Sequence, residues 1–374
     1  MLVAPLMQRA VHNLQAASGS RRSGGLRLYP DFLDHAGTSG GQPVRALGTG
    51  DRIQSTGMAT SAPVRSGAIA PTWGAGAIDR VTLLMGSKAI LGGFEGIAKQ
   101  AKQDLVAEFF IMNRPDVIKA LRHAAKDGLR TEVLADAEMM DLGWFPKRAW
   151  KQKGLELIAF PEKPRKLHSK ALAGDSRALV ATGYATNEKR QKYIDFGVAF
   201  EGPAARALEG VMRANRSGET RLVQQAAIEA RKHGVLMNDR NHGVRLLTTE
   251  LESMIAGAKR EILIGTKDLS DDRIFNLLYD ARQRGVTVRV VTGRESPFAI
   301  NRGMDIRRYP FLHGNVMIVD GKTAYVGSAF FHTRPMARYV DAIMSNETGV
   351  LIQDTKAIQT LVKTLTTLAN APHP

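Results

Sequence analysis

The chain has no cysteine, which excludes disulfides and thiolate metal sites and leaves the compartment open. Acidic residues are scarce: 36 Asp and Glu stand against 52 Lys and Arg, a formal charge of +16. That imbalance favours anionic partners such as nucleic acid, anionic lipid or polyphosphate, without choosing among them. Aromatic residues make up only 6% of the chain. Few of them interleave with the basic residues, so no base-stacking groove is legible. Nowhere does an apolar run reach the roughly 18 residues a membrane-spanning helix needs, so no transmembrane segment is expected. The nine His show no metal-ligand spacing such as H-E-x-x-H. Met85-Gly86-Ser87-Lys88 lacks the leading glycine frame of a Walker loop.

At 374 residues the chain can hold two domains or one large one. Residues 1–78 are rich in Gly, Ser, Thr, Ala and Arg, with Asp31, Asp34 and Asp51 as their only acids. The composition predicts a disordered tail with at most a short helix near Leu6–Leu14. Gln8 and Arg9 interrupt any apolar core of a secretory signal. An Arg- and Ser-rich, acid-poor start leaves a targeting or secretion leader open, against a plain flexible tail.

From Asp79 onward strands and helices alternate, as in Leu105–Met112, Pro115–Lys126 and Arg130–Ala135. Pro203 to about His233 reads as helical. The same grammar then repeats, from a strand at Val244–Leu247 and a helix at Glu250–Lys259. Lys119–Leu134 matches Asn276–Val291 in its order of helix, glycine and strand. The pattern predicts an α/β chain with an internal duplication, residues 79–236 and 237–374. Gly92-Gly93 reads as a packing feature. Trp73, Trp144 and Trp150 read as packing or lip residues, and 141–153 as a connecting loop.

The centre of the first half is His168-Ser169-Lys170-Ala171-Leu172-Ala173-Gly174-Asp175, or H-x-K-x-x-x-x-D. Leu167–Ala173 suits a short strand. On a strand His168 and Lys170 share a face about 7 Å apart. An imidazole to attack or protonate, beside a fixed positive charge, suits phosphoryl chemistry. Asp175 falls at the turn, where it braces the chain. The second half carries His313-Gly314-Asn315-Val316-Met317-Ile318-Val319-Asp320, with His and Asp at the same spacing and Gly327-Ser328 following. Asp195 and Glu347 each precede an apolar strand in matching places.

This layout resembles the phospholipase D superfamily, whose active site uses two HKD motifs, each followed by Gly-Ser or a relative of it. The resemblance covers about residues 79–374. It implies two pseudo-twofold-related lobes, each a mixed β-sheet flanked by helices, and a catalytic set of His168, Lys170, Asp175, Asp195, His313, Asn315, Asp320 and Glu347. It further implies that Glu347 orients His168 and Asp195 orients His313 across the pseudo-twofold. His168 attacks phosphorus to give a phosphohistidine, and His313 serves as acid and then base. The resemblance implies no cofactor and no metal, with water or an alcohol as acceptor. The expected partner is a phospholipid or another anionic phosphodiester. Nucleic acid as substrate and peripheral membrane contact stay open, and so does a non-catalytic role in binding phosphate ligands.

Two departures from the family pattern stand out. Asn315 replaces the second motif's lysine, and an amide supplies no charge, so reduced activity is expected, recoverable by Asn315→Lys. After Asp175 comes Thr182-Gly183-Tyr184-Ala185-Thr186-Asn187 rather than Gly-Ser-x-Asn. Thr186 or Asn187 is the expected polar group there, with Ser328 as its counterpart in substrate binding. Arg165, Lys166, Lys189, Arg190 and Lys192 surround the first motif and favour the nuclease alternative.

Overall fold

The structure is a computed structural model that describes residues 76–146, 148–160, 165–184, 192–296, 304–332 and 344–371. The tail expected over residues 1–78 lies outside the described residues up to position 75, as do Trp73, Thr186, Asn187, Lys189 and Arg190. Order reaches slightly further back than Asp79. Ile78 is buried and forms a parallel bridge to Ile352, with its N–H donating to the Leu351 carbonyl at 2.9 Å.

The first lobe runs β1 (Thr82–Met85), α1 (Ser87–Gln100), β2 (Asp104–Phe109), α2 (Pro115–Lys126), β3 (Arg130–Asp136), α3 (Ala137–Asp141), β4 (Leu155–Phe160), β5 (Arg165–Leu167), β6 (Lys170–Gly174), β7 (Arg177–Ala181) and β8 (Phe196–Glu201). Two helices, α4 (Pro203–Ser217) and α5 (Thr220–Lys232), lead out of it. The second lobe runs β9 (Val235–Asp239), β10 (Val244–Arg245), α6 (Leu246–Gly257), β11 (Glu261–Thr266), α7 (Asp272–Gln283), β12 (Thr287–Thr292), β13 (Asp305–Arg308), β14 (Val316–Val319), β15 (Thr323–Gly327), β16 (Met344–Ile352) and α8 (Thr355–Ala369).

The two sheets share one strand order. The first sheet is β1-β8-β7-β6-β2-β3-β4 and the second contains β9-β16-β15-β14-β11-β12-β13. In each, three strands are parallel (β2, β3, β4 and β11, β12, β13) and the rest antiparallel. The chain is thus α/β, with two mixed sheets flanked by helices.

Local chemistry sets the elements. α2 starts with Pro115 at its first position, where a missing N–H costs nothing, and ends at Gly128 with φ +96°. Asp271 and Asp354 cap α7 and α8 by accepting from the backbone N–H of Ile274 and Ala357. The helical stretch after Pro203 is two helices, broken where Gly218 takes φ +67°. The strand expected at Val244–Leu247 is only the two-residue β10. The strand that opens the second lobe is β9, and α6 begins at Leu246.

A central apolar cluster takes Val106, Ala171, Val180 and Val198 from the first sheet and Val316, Ile318, Val326 and Val350 from the second, with α4, α5 and α8. Two outer clusters back the sheets, one under α1 and α2 and one under α6 and α7. Phe145 and Trp150 pack into the first-lobe outer cluster, with ring centroids 5.8 Å apart, so the 141–153 connection is anchored to the core. Gly93 packs where any side chain would strike Leu84 and Leu179, the packing role its sequence suggests.

Candidate functional site

The expected single strand Leu167–Ala173 is two strands in two sheets. β5 pairs in parallel with β16 of the second lobe, and His168 N–H donates to the Asn346 carbonyl at 3.0 Å. β6 pairs with β2 and β7 of the first lobe. The chain therefore crosses from one sheet to the other at His168-Ser169. The second motif does the same in mirror order: Ile194 bridges Leu312, and the His313 N–H donates to the Ile194 carbonyl at 3.1 Å. Each histidine is thereby held at the seam by backbone from both lobes.

His168 Nδ1 lies 3.0 Å from both carboxylate oxygens of Glu347, and His313 Nδ1 lies 2.8 Å from Asp195 Oδ1. Both carboxylates are buried. A carboxylate only accepts, so each Nδ1 carries a proton, and Nε2 is left as the nitrogen that attacks or exchanges a proton. The two cross-lobe pairs expected from the sequence are both present.

Lys170 Nζ sits 3.1 Å from His168 Nε2 and donates to the His168 carbonyl at 2.7 Å. Burial, with the ammonium groups of Lys170 and Lys166, pushes His168 down to about 4 against the pull of Glu347. Burial likewise lowers Lys170 to about 8, with Lys166 and Lys267 adding to it against the pull of Glu347 and Asp195. His313 is also held below its ordinary value, by burial first and then by Lys267 and Lys170, against Asp195. Burial alone would raise Glu347, but His168, Lys170 and the Ser328 hydroxyl together hold it low. At neutral pH the arrangement is a neutral His168 beside a charged Lys170.

Aromatic rings enclose the histidines. The His168 ring stands 5.2 Å from that of Phe110 and 5.4 Å from that of Phe330. His313 stands 5.5 Å from Phe330 and 5.9 Å from Tyr193. Lys166 lies over Phe110 and Lys267 over Phe330, at 4.6 and 5.7 Å from the centroids. The sequence spreads these rings over three segments, so their convergence was not legible there.

Several sequence expectations need correction. Asp175 and Asp320 stand away from the histidines, in the turns at the far ends of the β6–β7 and β14–β15 hairpins. Asp175 has φ +51° and accepts from the backbone N–H of Lys102 and Gln103. Asp320 has φ +54° and accepts from Lys259, Arg260 and Glu261. Both brace turns, a role already expected of Asp175 beside its place in the catalytic set. Asn315 is fully buried and its amide is committed. Thr266 Oγ1 donates to its Oδ1 at 3.0 Å, while Nδ2 faces the carbonyls of Gly327 and Ser328 at 3.5 and 3.4 Å.

Ser328 contacts the orienting acid: its hydroxyl donates to Glu347 Oε2 at 2.5 Å and accepts from Thr348 N–H at 3.1 Å. Its first-lobe counterpart is Thr182, which lies 3.4 Å from Asp195 Oδ1 and accepts from Phe196 N–H at 2.9 Å. Counting from the motif misses it because the hairpin turns differ. Gly174 pairs with Arg177 across two residues, whereas Val319 pairs with Thr323 across three. Gly183, next to Thr182, has no side chain to strike Asp195 and His313. Thr186 and Asn187, expected in that role, lie outside the described residues.

Among the described residues no group of three or more His, Cys, Asp or Glu stands close enough to hold a metal, and no helix is long and apolar enough to cross a membrane.

Residues 251–368 match the family model described as the cardiolipin synthase, PLD-like domain. No curated protein matches the chain. Among solved structures, polyphosphate kinase from Porphyromonas gingivalis aligns with TM-score 0.56 and 16% identity, over 77% of this chain and 46% of that one. The chain thus spans less than half of that kinase. Phosphatidylserine synthase from Haemophilus influenzae Rd KW20 aligns with TM-score 0.56 and 11% identity, over 78% of this chain and 86% of that one. Nuc from Salmonella typhimurium, a phospholipase D family member, aligns over 36% of this chain and 93% of its own, with 22% identity and TM-score 0.31.

Proposed function

We propose that this chain is a phosphodiesterase of the phospholipase D superfamily, acting on phospholipid headgroups through a phosphohistidine on His168. The observation that carries the reading is the pair of imidazoles at the seam. Each is oriented through Nδ1 by a buried carboxylate, and Lys170 stands at the Nε2 of His168.

In the first step His168 Nε2 gives its lone pair to phosphorus while the bond to the leaving oxygen breaks. His313, protonated on Nε2, gives that oxygen its proton. Lys170 holds the equatorial oxygens as charge builds on them. In the second step water, or an alcohol, attacks phosphorus as His313 Nε2 takes its proton. The phosphorus–nitrogen bond then breaks and His168 recovers its electron pair. His168 suits the nucleophile because burial keeps its ring neutral and the lysine stands at its side. The cardiolipin synthase description of the second-lobe match supports lipid as the substrate class.

One observation favours a second reading, a nuclease of the same superfamily: the half-buried rings of Phe330 and Tyr193 flank His313, and Lys267 lies over Phe330. Rings on which bases stack, set among ammonium groups, are what a single strand needs.

The test is a product screen of labelled phospholipid vesicles against single- and double-stranded DNA, run with excess chelator. Headgroup release, lost in His168→Ala and accompanied by acid-labile phosphate on acid-quenched wild type, is the expected result. DNA cleavage without headgroup release would move the assignment to the nuclease. Full turnover by His168→Ala, or activity that needs a divalent ion, would sink the mechanism.

A further inference from the structure

Asn315 leaves the second motif without its cation, yet the second half of the site is not without charge. Strand register supplies the reason. In the first lobe Phe109 of β2 faces Lys170 of β6. In the second lobe Gly265 of β11 faces Val316 of β14, and the next pair outward is Thr266 beside Asn315, joined by the hydroxyl–amide hydrogen bond. Lys267 therefore occupies the second-lobe position that Phe110 fills in the first.

We infer that Lys267 is the second phosphate-holding cation of this site, so that the positive charge has moved from the motif strand β14 to the end of its neighbour β11. This rests on the site being one that binds a phosphodiester. Lys267 Nζ lies 5.7 Å from the centroid of Phe330, whose ring touches both His168 and His313. Its charge is felt at His313 and at Lys170, on both sides of the place a phosphate would occupy.

The backbone holds Lys267 in place. Gly293 N–H donates to the Thr266 carbonyl at 2.9 Å, and Arg294 N–H donates to the Lys267 carbonyl at 3.0 Å. A side chain at Gly293 would strike the Leu312 carbonyl and come within 3.3 Å of Lys267 Cα, so glycine lets the Lys267 loop lie against the residue before His313. The Phe330 loop is tied to the same turn by the bridge between Leu269 and Phe331. The exchange of residues is reciprocal: where Lys170 donates to a carbonyl in the first lobe, Asn315 bonds to Thr266 and the 327–328 carbonyls in the second. A lysine at 315 would have to break that set.

Four proteins decide it: wild type, Lys267→Met, Lys267→Arg and Lys267→Met/Asn315→Lys, each checked by thermal melt. Two readouts are taken: affinity for inorganic phosphate by calorimetry, and kcat/KM on the substrate the screen finds. Lys267→Met is expected to melt like wild type, bind phosphate at least tenfold more weakly, and lose roughly a hundredfold in kcat/KM. Lys267→Arg should retain most of both, since it keeps the charge. Asn315→Lys should restore part of the loss in the Lys267→Met background. Wild-type phosphate affinity in a folded Lys267→Met protein would overturn the inference. If wild type turns over none of the substrates, the proposed function fails and the phosphate affinities still judge Lys267.

Discussion

Thr182 in the first lobe and Ser328 in the second hold equivalent positions. Each donates its backbone N–H to the strand bearing the orienting acid, Thr182 to the Phe196 carbonyl at 2.8 Å and Ser328 to the Thr348 carbonyl at 2.9 Å. Each takes back the N–H of that same residue on its hydroxyl. A reciprocal clamp of this kind fixes the residue just before it, which is Asp195 in one lobe and Glu347 in the other. The carboxylate is aimed by its own strand and the neighbouring hairpin, and it in turn aims the other lobe's histidine. The tautomer of each imidazole is thus set two contacts away from the reacting nitrogen.

Removing the hydroxyls should therefore lower kcat with little change in KM. Ser328→Ala loses a short bond to the buried Glu347 carboxylate, of the kind contributing about 1.5–3 kcal/mol, so kcat should fall roughly ten- to a hundredfold. Thr182→Val, with the longer contact to Asp195, should cost about tenfold or less. Rates and melting curves of both variants decide the matter. A loss in KM alone would make the hydroxyls substrate contacts instead.

The two lobes were legible because the chemistry is written twice at one spacing. Helix–glycine–strand units repeat around two His-centred motifs, and apolar strands such as Leu105–Phe109 declare themselves. What escaped was set by geometry beyond the strand. β9 was missed because only Val235-Leu236-Met237 of it is apolar, too short a run to stand out, and Asn238, bonded to Thr248 inside the core, carries no strand signal of its own. Thr182 was missed because one hairpin turn is a residue shorter than the other. Lys267 carries no motif and becomes visible only when β11 is laid against β14. Asn315 was read correctly as uncharged, but its amide proved committed to Thr266 and to backbone carbonyls.

Asp320→Ala should destabilise the fold without altering the chemistry of the folded protein. The carboxylate accepts from the N–H groups of Lys259, Arg260 and Glu261, which together hold its ionisation below the ordinary range despite partial burial. Losing this brace where α6 passes into β11 should cost about 1–3 kcal/mol. Because the folded carboxyl is depressed, its contribution is present above the unfolded value and fades as pH falls through the folded one. The melting difference from wild type should thus be full at pH 7 and shrink in acid. A hundredfold fall in kcat at an unchanged melting temperature would return Asp320 to the catalytic set.

Glu108→Gln should stabilise the protein in a pH-dependent way. Glu108 is buried on β2, and burial raises it from 4.5 to about 7, against a hydrogen bond from Asn215 Nδ2 to Oε1 at 2.7 Å. A folded value above the unfolded one means that its stability contribution is present below about 4.5 and lost as pH rises through about 7. An amide keeps the acceptor and has no charge to bury. The melting temperature of the variant should exceed wild type at pH 8 and match it near pH 4.5. Equal melting at both pH values would mean that the carboxyl titrates normally.

The pH profile should separate the two histidines. His168 attacks only when neutral, and it stays neutral down to about 4 because burial and two lysines oppose its proton. His313 must carry a proton to release the leaving group, and burial with Lys267 and Lys170 holds it below its ordinary value of 6.5. In the free enzyme kcat/KM should therefore rise as pH passes about 4 and fall again before 6.5, an acidic optimum. Removing the charge in Lys267→Met takes away one of the forces depressing His313, so the alkaline limb should move up while the acid limb stays. Lys170, at about 8, would set an alkaline limb only if His313 were not the acid. A limb near 8, well above the ordinary value of His313, would therefore reassign the proton donor and leave His168 as nucleophile.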